Sequence, residues 1–149
     1  MTSYSVFLQG KPVGKQRPQF NRSTGVAYTP KETTVFESTL KVLAQKELEK
    51  VNGKPLDKAC MVSILVSKKV PDSWSKKKRD EYARRHYPVL TKPDLDNIAK
   101  SVLDALNGVF YIDDKYVVSL NIFKSYADYD AVSVVCNEWT YKEEAENEN

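Results

Sequence analysis

Apolar and polar positions along the 149 residues of this chain fall into alternating runs and two clear helical stripes. Tyr4 to Gln9 reads as a first strand, ended by Gly10. Residues 10–22 follow as a long loop rich in Gly, Pro and basic side chains, and such loops inside a domain are usually functional or mobile. Phe36, Leu40, Leu43, Ala44 and Leu48 recur at helical spacing. That stripe predicts a helix running to about Lys50, with Thr29 as N-cap, Pro30 at N1, Glu32 closing a capping box and Asn52-Gly53-Lys54-Pro55 as the stop. Cys60 to Lys68 alternates, placing Cys60, Val62, Ile64 and Val66 on one side of a half-buried strand. Pro71-Asp72-Ser73 opens a basic segment through His86, read as a weakly amphipathic helix capped by Ser73 or Ser75 and anchored by Trp74 and Tyr82. Ile98, Val102, Ala105, Leu106 and Val109 form the stripe of a second clear helix, opened by the Pro93-Asp94-Leu95-Asp96 turn and ended by Asn107-Gly108. Asp113-Asp114-Lys115, between Phe110-Tyr111-Ile112 and Tyr116-Val117-Val118, predicts a hairpin or tight turn. Val118, Leu120 and Ile122 alternate along a further strand, and a turn at Ala127-Asp128-Tyr129-Asp130 leads to a last strand from Ala131 to about Trp139.

Strands and helices in this order lack regular βαβ alternation. They predict an α+β fold, a small mixed or mainly antiparallel sheet covered by two or three helices. The length predicts a single domain over residues 1–141, followed by an acidic, disordered tail over 142–149. Cys60 and Cys136 lack zinc-site spacing and lie in apolar, strand-like surroundings, so they read as buried, reduced thiols. The first residues are too short and polar for a signal peptide and no apolar run approaches membrane-spanning length, which leads us to expect a cytoplasmic protein.

The formal net charge of +3 hides an asymmetry, because acids crowd the C-terminus while bases crowd the middle. From Lys68 to Lys92 there are nine Lys or Arg against Asp72, Asp80 and Glu81. Such a segment favours a polyanionic partner, although a charge run on its own more often marks a solvated helix face. Lys15, Arg17 and Arg22 in the early loop, with Lys76, Lys77, Lys78, Arg79, Arg84 and Arg85, are the expected phosphate contacts; they would set affinity and salt dependence rather than sequence choice. Phe20, Tyr28, Trp74 or Tyr111 would stack on unpaired bases, with a core role for each an equal alternative. His86, the single histidine, has no visible partner and reads as a surface residue.

The candidate chemistry lies in Asp94-Leu95-Asp96 and Asp113-Asp114, four carboxylates at two points with Lys100 four residues beyond Asp96. Carboxylate oxygens suit Mg²⁺, which holds its waters tightly and neutralises charge at a phosphodiester. In an extended segment Asp94 and Asp96 would point to one side while Leu95 turns into the core, and Asp113-Asp114 would close the cage from an adjacent strand. Lys100, one helical turn on, would steady a phosphate or the developing oxyanion. Each piece alone has a plainer explanation: a helix N-cap, an exposed i,i+4 ion pair, a turn. Those explanations account poorly for all three together beside a basic segment.

At Asp94-Leu95-Asp96-Asn97, Lys100, Asp104-Ala105-Leu106 and Asp113-Asp114 followed by Val117-Val118, the chain resembles the RusA-like Holliday junction resolvases, crossover junction endodeoxyribonucleases of bacteria and their prophages. The resemblance extends more faintly to the opening strand, Gly14-Lys15-Gln16-Arg17-Pro18 and Ala27-Tyr28-Thr29-Pro30. It implies a small homodimer that binds four-way DNA junctions and makes paired nicks with Mg²⁺, or Mn²⁺ in its place, in DNA recombination and repair. Carried over, Asp94, Asp96 and Asp114 correspond to the metal-binding acids, Asp113 to an accessory acid and Lys100 to the catalytic lysine. The long basic segment and the acidic tail depart from the compact pattern. Two other functions compete with this one: a DNA-binding module without catalysis, and a metal-dependent phosphoesterase acting on other substrates.

Overall fold

The computed structural model describes residues 1–28 and 30–140, apart from the side chain of Tyr28. Its elements are β1 (Ser3–Gln9), β2 (Gln19–Phe20), β3 (Ala27–Tyr28), α1 (Lys31–Lys50), β4 (Cys60–Lys69), α2 (Lys76–Arg84), α3 (Leu95–Leu106), β5 (Val117–Ala127) and β6 (Ala131–Glu138). The four long strands form one sheet in the order β1-β6-β4-β5, antiparallel except for the β4–β5 pair. This is the mixed sheet of an α+β fold.

Alternation decides which face of the sheet is covered. Tyr4, Val6 and Leu8 of β1, Val62, Ile64 and Val66 of β4, and Val132, Val134 and Cys136 of β6 are all buried on the helix side. α1 lays Phe36, Leu40 and Ala44 over them, and α3 adds Ile98, Val102, Ala105 and Leu106. On the opposite face Phe7, Leu65 and Phe123 stay exposed, lined up across the sheet through Ser133. Both cysteines are buried and free, and burial pushes the Cys136 thiol up to about 12, so it is protonated at neutral pH.

Three local features sharpen the sequence reading. α1 begins at Lys31 with Pro30 in the cap position and no side-chain cap; Thr29, the expected N-cap, lies outside the described residues, as does the tail 142–149. The early loop contains a short ribbon, β2 paired with β3, closed by an Asx turn in which Asn21 Oδ1 accepts from the Ser23 and Thr24 amides. Gly25 completes that turn at φ +68°, a region costly for residues with a Cβ. Between Phe110 and Val117 the chain takes the tight turn, not the hairpin, of the two expected alternatives: Asp113 caps a single 3₁₀ turn, Asp114–Tyr116, which feeds directly into β5.

Ile98 is fully buried at the N-terminal end of the α3 stripe. Ile98→Ala is expected to lower unfolding stability by about 2–5 kcal/mol, read by urea denaturation, because the close-packed helix–sheet interface cannot collapse around the cavity.

Candidate active site

The path of the chain from β4 to α3 sets where the acids stand. Ser75 caps α2, its side chain accepting from the Lys78 amide at 3.2 Å. Trp74, Tyr82, Tyr87 and Tyr126 then pack edge-on as a small second core that fastens α2 to the end of β5. Past α2 the chain pairs briefly with β5: the Tyr126 amide donates to Tyr87 O at 2.9 Å and the Val89 amide to Lys124 O at 3.2 Å. It next turns over the helix side of the sheet and enters α3.

Asp94 sits at the N-cap position and Asp96 in the first turn, both exposed. The Asp94 carboxylate makes no capping hydrogen bond, so the plainer explanation of this residue fails on geometry. Among the described residues, neither carboxylate nor the Lys100 ammonium has a hydrogen-bond or ion-pair partner. Asp96 and Lys100 border a groove of about 640 Å³ between α3 and β5, floored by Leu103, Leu120 and Ile122. Leu95 does not turn into the core. It is the first residue of α3 and 37% exposed, because the segment is already helical where an extended strand was expected.

The second acid pair stands elsewhere. Asp113 Oδ1 accepts from the Lys115 amide at 2.9 Å, and Asp114 is exposed at the start of the 3₁₀ turn. Tyr111, fully buried, ties this turn to the C-terminal part of α3 by donating to Leu103 O at 2.7 Å. Its burial raises the phenol well above its ordinary pKa and rules out base stacking by this ring. Asp94 instead adjoins Lys124, which donates to Pro93 O at 3.1 Å, seven residues up β5 from Val117. Those seven residues span roughly 20 Å of strand. One chain therefore does not bring its two acid pairs together, and among the described residues no three His, Cys, Asp or Glu side chains form a metal-ready group.

The basic residues divide. Lys15 is committed within the protein: its ammonium lies 2.7 Å from Glu37 and 3.1 Å from Asp104, and its amide donates to Asn97 O at 2.8 Å. Its ammonium thus faces the protein's own acids, contrary to the phosphate contact expected of this loop residue. The Glu37 hydrogen bond, aided by Asp104 and opposed by burial, holds its pKa above the ordinary lysine value. Gly14 beside it packs so closely that a Cβ there would stand 3.0 Å from the Asn97 Cβ. Arg17 and Arg22 are exposed, Arg22 at the tip of the β2–β3 ribbon next to Phe20, which is 72% exposed. On α2, Lys78 lies 3.9 Å over the Trp74 ring and Arg79 buries its Nε, leaving Lys76, Lys77, Arg84 and Arg85 as the open cations. Three lysines occupy the first turn of α2 with no acid among them. The helix dipole disfavours cations there by about 0.3–1 kcal/mol each, and only Lys78, over Trp74, has a compensating contact, so stability does not explain Lys76 and Lys77. His86 is exposed, with Nδ1 3.3 Å from Tyr126 O.

Residues 9–136 match the family model described as Endodeoxyribonuclease RusA. This chain belongs to the RusA endodeoxyribonuclease family. The RusA match spans the two acid pairs, Lys100 and the basic helix, and RusA proteins are nucleases that act on branched DNA, generally with a divalent metal. The chain is also 32% identical over 134 residues, 88% of its own length and 93% of the relative's, to "Uncharacterized protein YqaN" of Bacillus subtilis (strain 168). No helix among the described residues is long and apolar enough to cross a membrane.

Lys15→Met is expected to lower stability by about 1 kcal/mol while leaving the salt dependence of DNA binding unchanged, measured by urea denaturation and binding titrations in parallel. Because the folded-state pKa of Lys15 is raised, its contribution is fully present below the unfolded value near 10.5 and is lost as pH rises through the folded value. The stability gap between wild type and Lys15→Met should therefore be flat across neutral pH and close only in strong alkali.

Proposed function

We propose that this protein is a homodimeric, Mg²⁺-dependent endodeoxyribonuclease that resolves four-way DNA junctions by paired symmetric nicks in recombination and repair. The observation that carries this reading is the trio Asp94, Asp96 and Lys100, three charged groups without partners on the first turns of α3, inside the region that matches the RusA family.

The donor set fits the metal. Mg²⁺ takes oxygen ligands, retains several waters and is commonly held by one or two carboxylates together with substrate phosphate. Asp94 and Asp96 supply such oxygens; when bound, the metal provides positive charge at the phosphoryl oxygens and a water of lowered pKa. Lys100, one turn beyond Asp96, would reach the scissile phosphate with its ammonium and stabilise the charge that develops there. Mn²⁺, with similar ligand preferences, would substitute.

A second copy answers the separation of the acid pairs. A junction has two opposed strands to cut, and a two-fold dimer supplies one site to each. In this reading Asp113 and Asp114 of one copy would complete the site begun by Asp94 and Asp96 of the other. The open cations of α2, with Arg17 and Arg22, would hold the junction arms, and Phe20 would stack at the branch point. A cytoplasmic location agrees with action on DNA.

Asp94→Asn and Asp96→Asn should reduce junction cleavage to background while binding is kept or tightened, since phosphate meets less negative charge. Lys100→Ala should slow cleavage by about 10²–10³-fold. Full activity in either aspartate variant would refute the assignment. Replacing Arg84 and Arg85 with Gln should flatten the slope of log binding constant against log salt by up to about 0.9 for each phosphate that is no longer neutralised. Mixing Asp96→Asn with Asp114→Asn protein discriminates the site's construction. If the site is shared between copies, mixed dimers regain one intact site and nick one strand; if each chain holds its own site, every site stays defective.

A further inference from the structure

Three successive backbone carbonyls precede Asp94, and lysine ammonium groups hold all of them. Lys124 Nζ donates to Thr91 O at 2.5 Å and to Pro93 O at 3.1 Å. Lys68 Nζ donates to Lys92 O at 3.3 Å and to Thr91 Oγ1 at 2.9 Å. The two lysines come from neighbouring parallel strands, β4 and β5, and their side chains leave the sheet on the face covered by α3, the face of Val66. Neither has an acidic partner within ion-pair distance among the described residues. Half-buried Lys124 thus directs a full positive charge at main-chain oxygens immediately before the residue we assign to the metal.

We propose that Lys68 and Lys124 are positioning residues that fix the Thr91–Pro93 turn and thereby aim the Asp94 carboxylate. The inference rests on the reading of Asp94 given above. The turn is otherwise open to solvent except at Pro93: Thr91 and Lys92 are exposed and Leu90 is 89% exposed, while Pro93 is half-buried beside Gly14. Asp94 makes no capping bond that would set its own side chain. Its direction is therefore set by the backbone behind it, and hydrogen bonds from charged donors are about twice as strong as neutral ones. Strands β4 and β5 are joined along their length, so the anchor points are rigid. Groups that orient a metal ligand typically change metal affinity or activity about 10–100-fold when removed, without touching the substrate.

The alternative role for both lysines is direct contact with DNA phosphate, and the experiment separates the two. Lys124→Met keeps the aliphatic stem and removes the donors; Lys124→Arg keeps charge and donors; Lys68→Met is the second variant. For each, the full-length protein is assayed for junction binding without metal, for the Mg²⁺ concentration giving half-maximal cleavage, and for backbone amide hydrogen exchange over residues 91–98. Positioning predicts that Lys124→Met raises the half-maximal Mg²⁺ concentration or lowers the saturated rate by about 10-fold or more, with metal-free binding within about 2-fold. It also predicts faster exchange across 91–98 with α1 unchanged, and recovery in Lys124→Arg. Unchanged exchange and metal dependence would overturn it. So would a loss confined to metal-free binding, which would make the lysines phosphate contacts. The exchange readout does not need activity: if the wild type cleaves no junction yet exchange over 91–98 quickens in the Met variants, the clamp stands and the nuclease reading falls.

Discussion

Everything at the acidic end of α3 depends on that helix being unable to slide or roll on the sheet. Ile98, Val102 and Leu106 are completely buried against the strands, which fixes the helix's face. A second set of contacts fixes its position along the axis. Ser101 Oγ, fully buried, donates to Val13 O at 2.7 Å, and the Lys15 amide reaches Asn97 O from the same loop. Lys15 then bridges Glu37 of α1 and Asp104 of α3, locking the two helices and the loop into one unit. Apolar burial supplies most of the free energy, but it is non-directional; the polar contacts set the register. With the register set, the backbone that carries Asp96 and Lys100 is fixed, and Asp94 at the N-cap has in addition the turn behind it, held by Lys68 and Lys124.

Charge is arranged with the same division between holding and acting. Lys15, Lys68 and Lys124 are engaged with the protein's own oxygens, whereas Lys100 and the outer cations of α2 are left to solvent. Among the described residues α2 is held by rings and a Tyr87–Glu81 hydrogen bond without an ion pair: Trp74 carries Lys78 on one face and meets Tyr82 and Tyr126 at 4.9 and 5.2 Å. An aromatic platform of this kind lets a helix with a dense run of positive charge stay folded without neutralising it. The charge remains available for a polyanion, which fits the branched-DNA substrates of the RusA family.

Much of this architecture is legible in the sequence. The stripes of α1 and α3 are long and strongly periodic, and alternation in β4 names the buried side correctly, because one-sided burial imposes those periods directly. What stays hidden is whatever depends on meetings between distant segments. Nothing local at Lys15 announces that Glu37 and Asp104 will converge on it, so a basic loop residue reads as a DNA contact. Lys68 and Lys124 are ordinary strand lysines until the fold carries Thr91–Pro93 past them. The ribbon around Asn21 and Gly25 is too short to signal by alternation, although Asn21-Arg22-Ser23-Thr24-Gly25 is rich in the residues that turns favour. The acid pairs are close in sequence but stand toward opposite ends of β5, since α3 and the turn after it lie between them.

The most direct test of a metal-dependent junction nuclease is to incubate the purified protein with a labelled four-way junction, and separately with linear duplex of the same sequence, each with and without Mg²⁺, and to map the cuts on every strand. Symmetric nicks in two opposed strands of the junction are expected, only with metal and not in the duplex. Tight, salt-sensitive junction binding with no metal-dependent product would contradict that claim, and would mean that the charged groups on α3 serve binding alone.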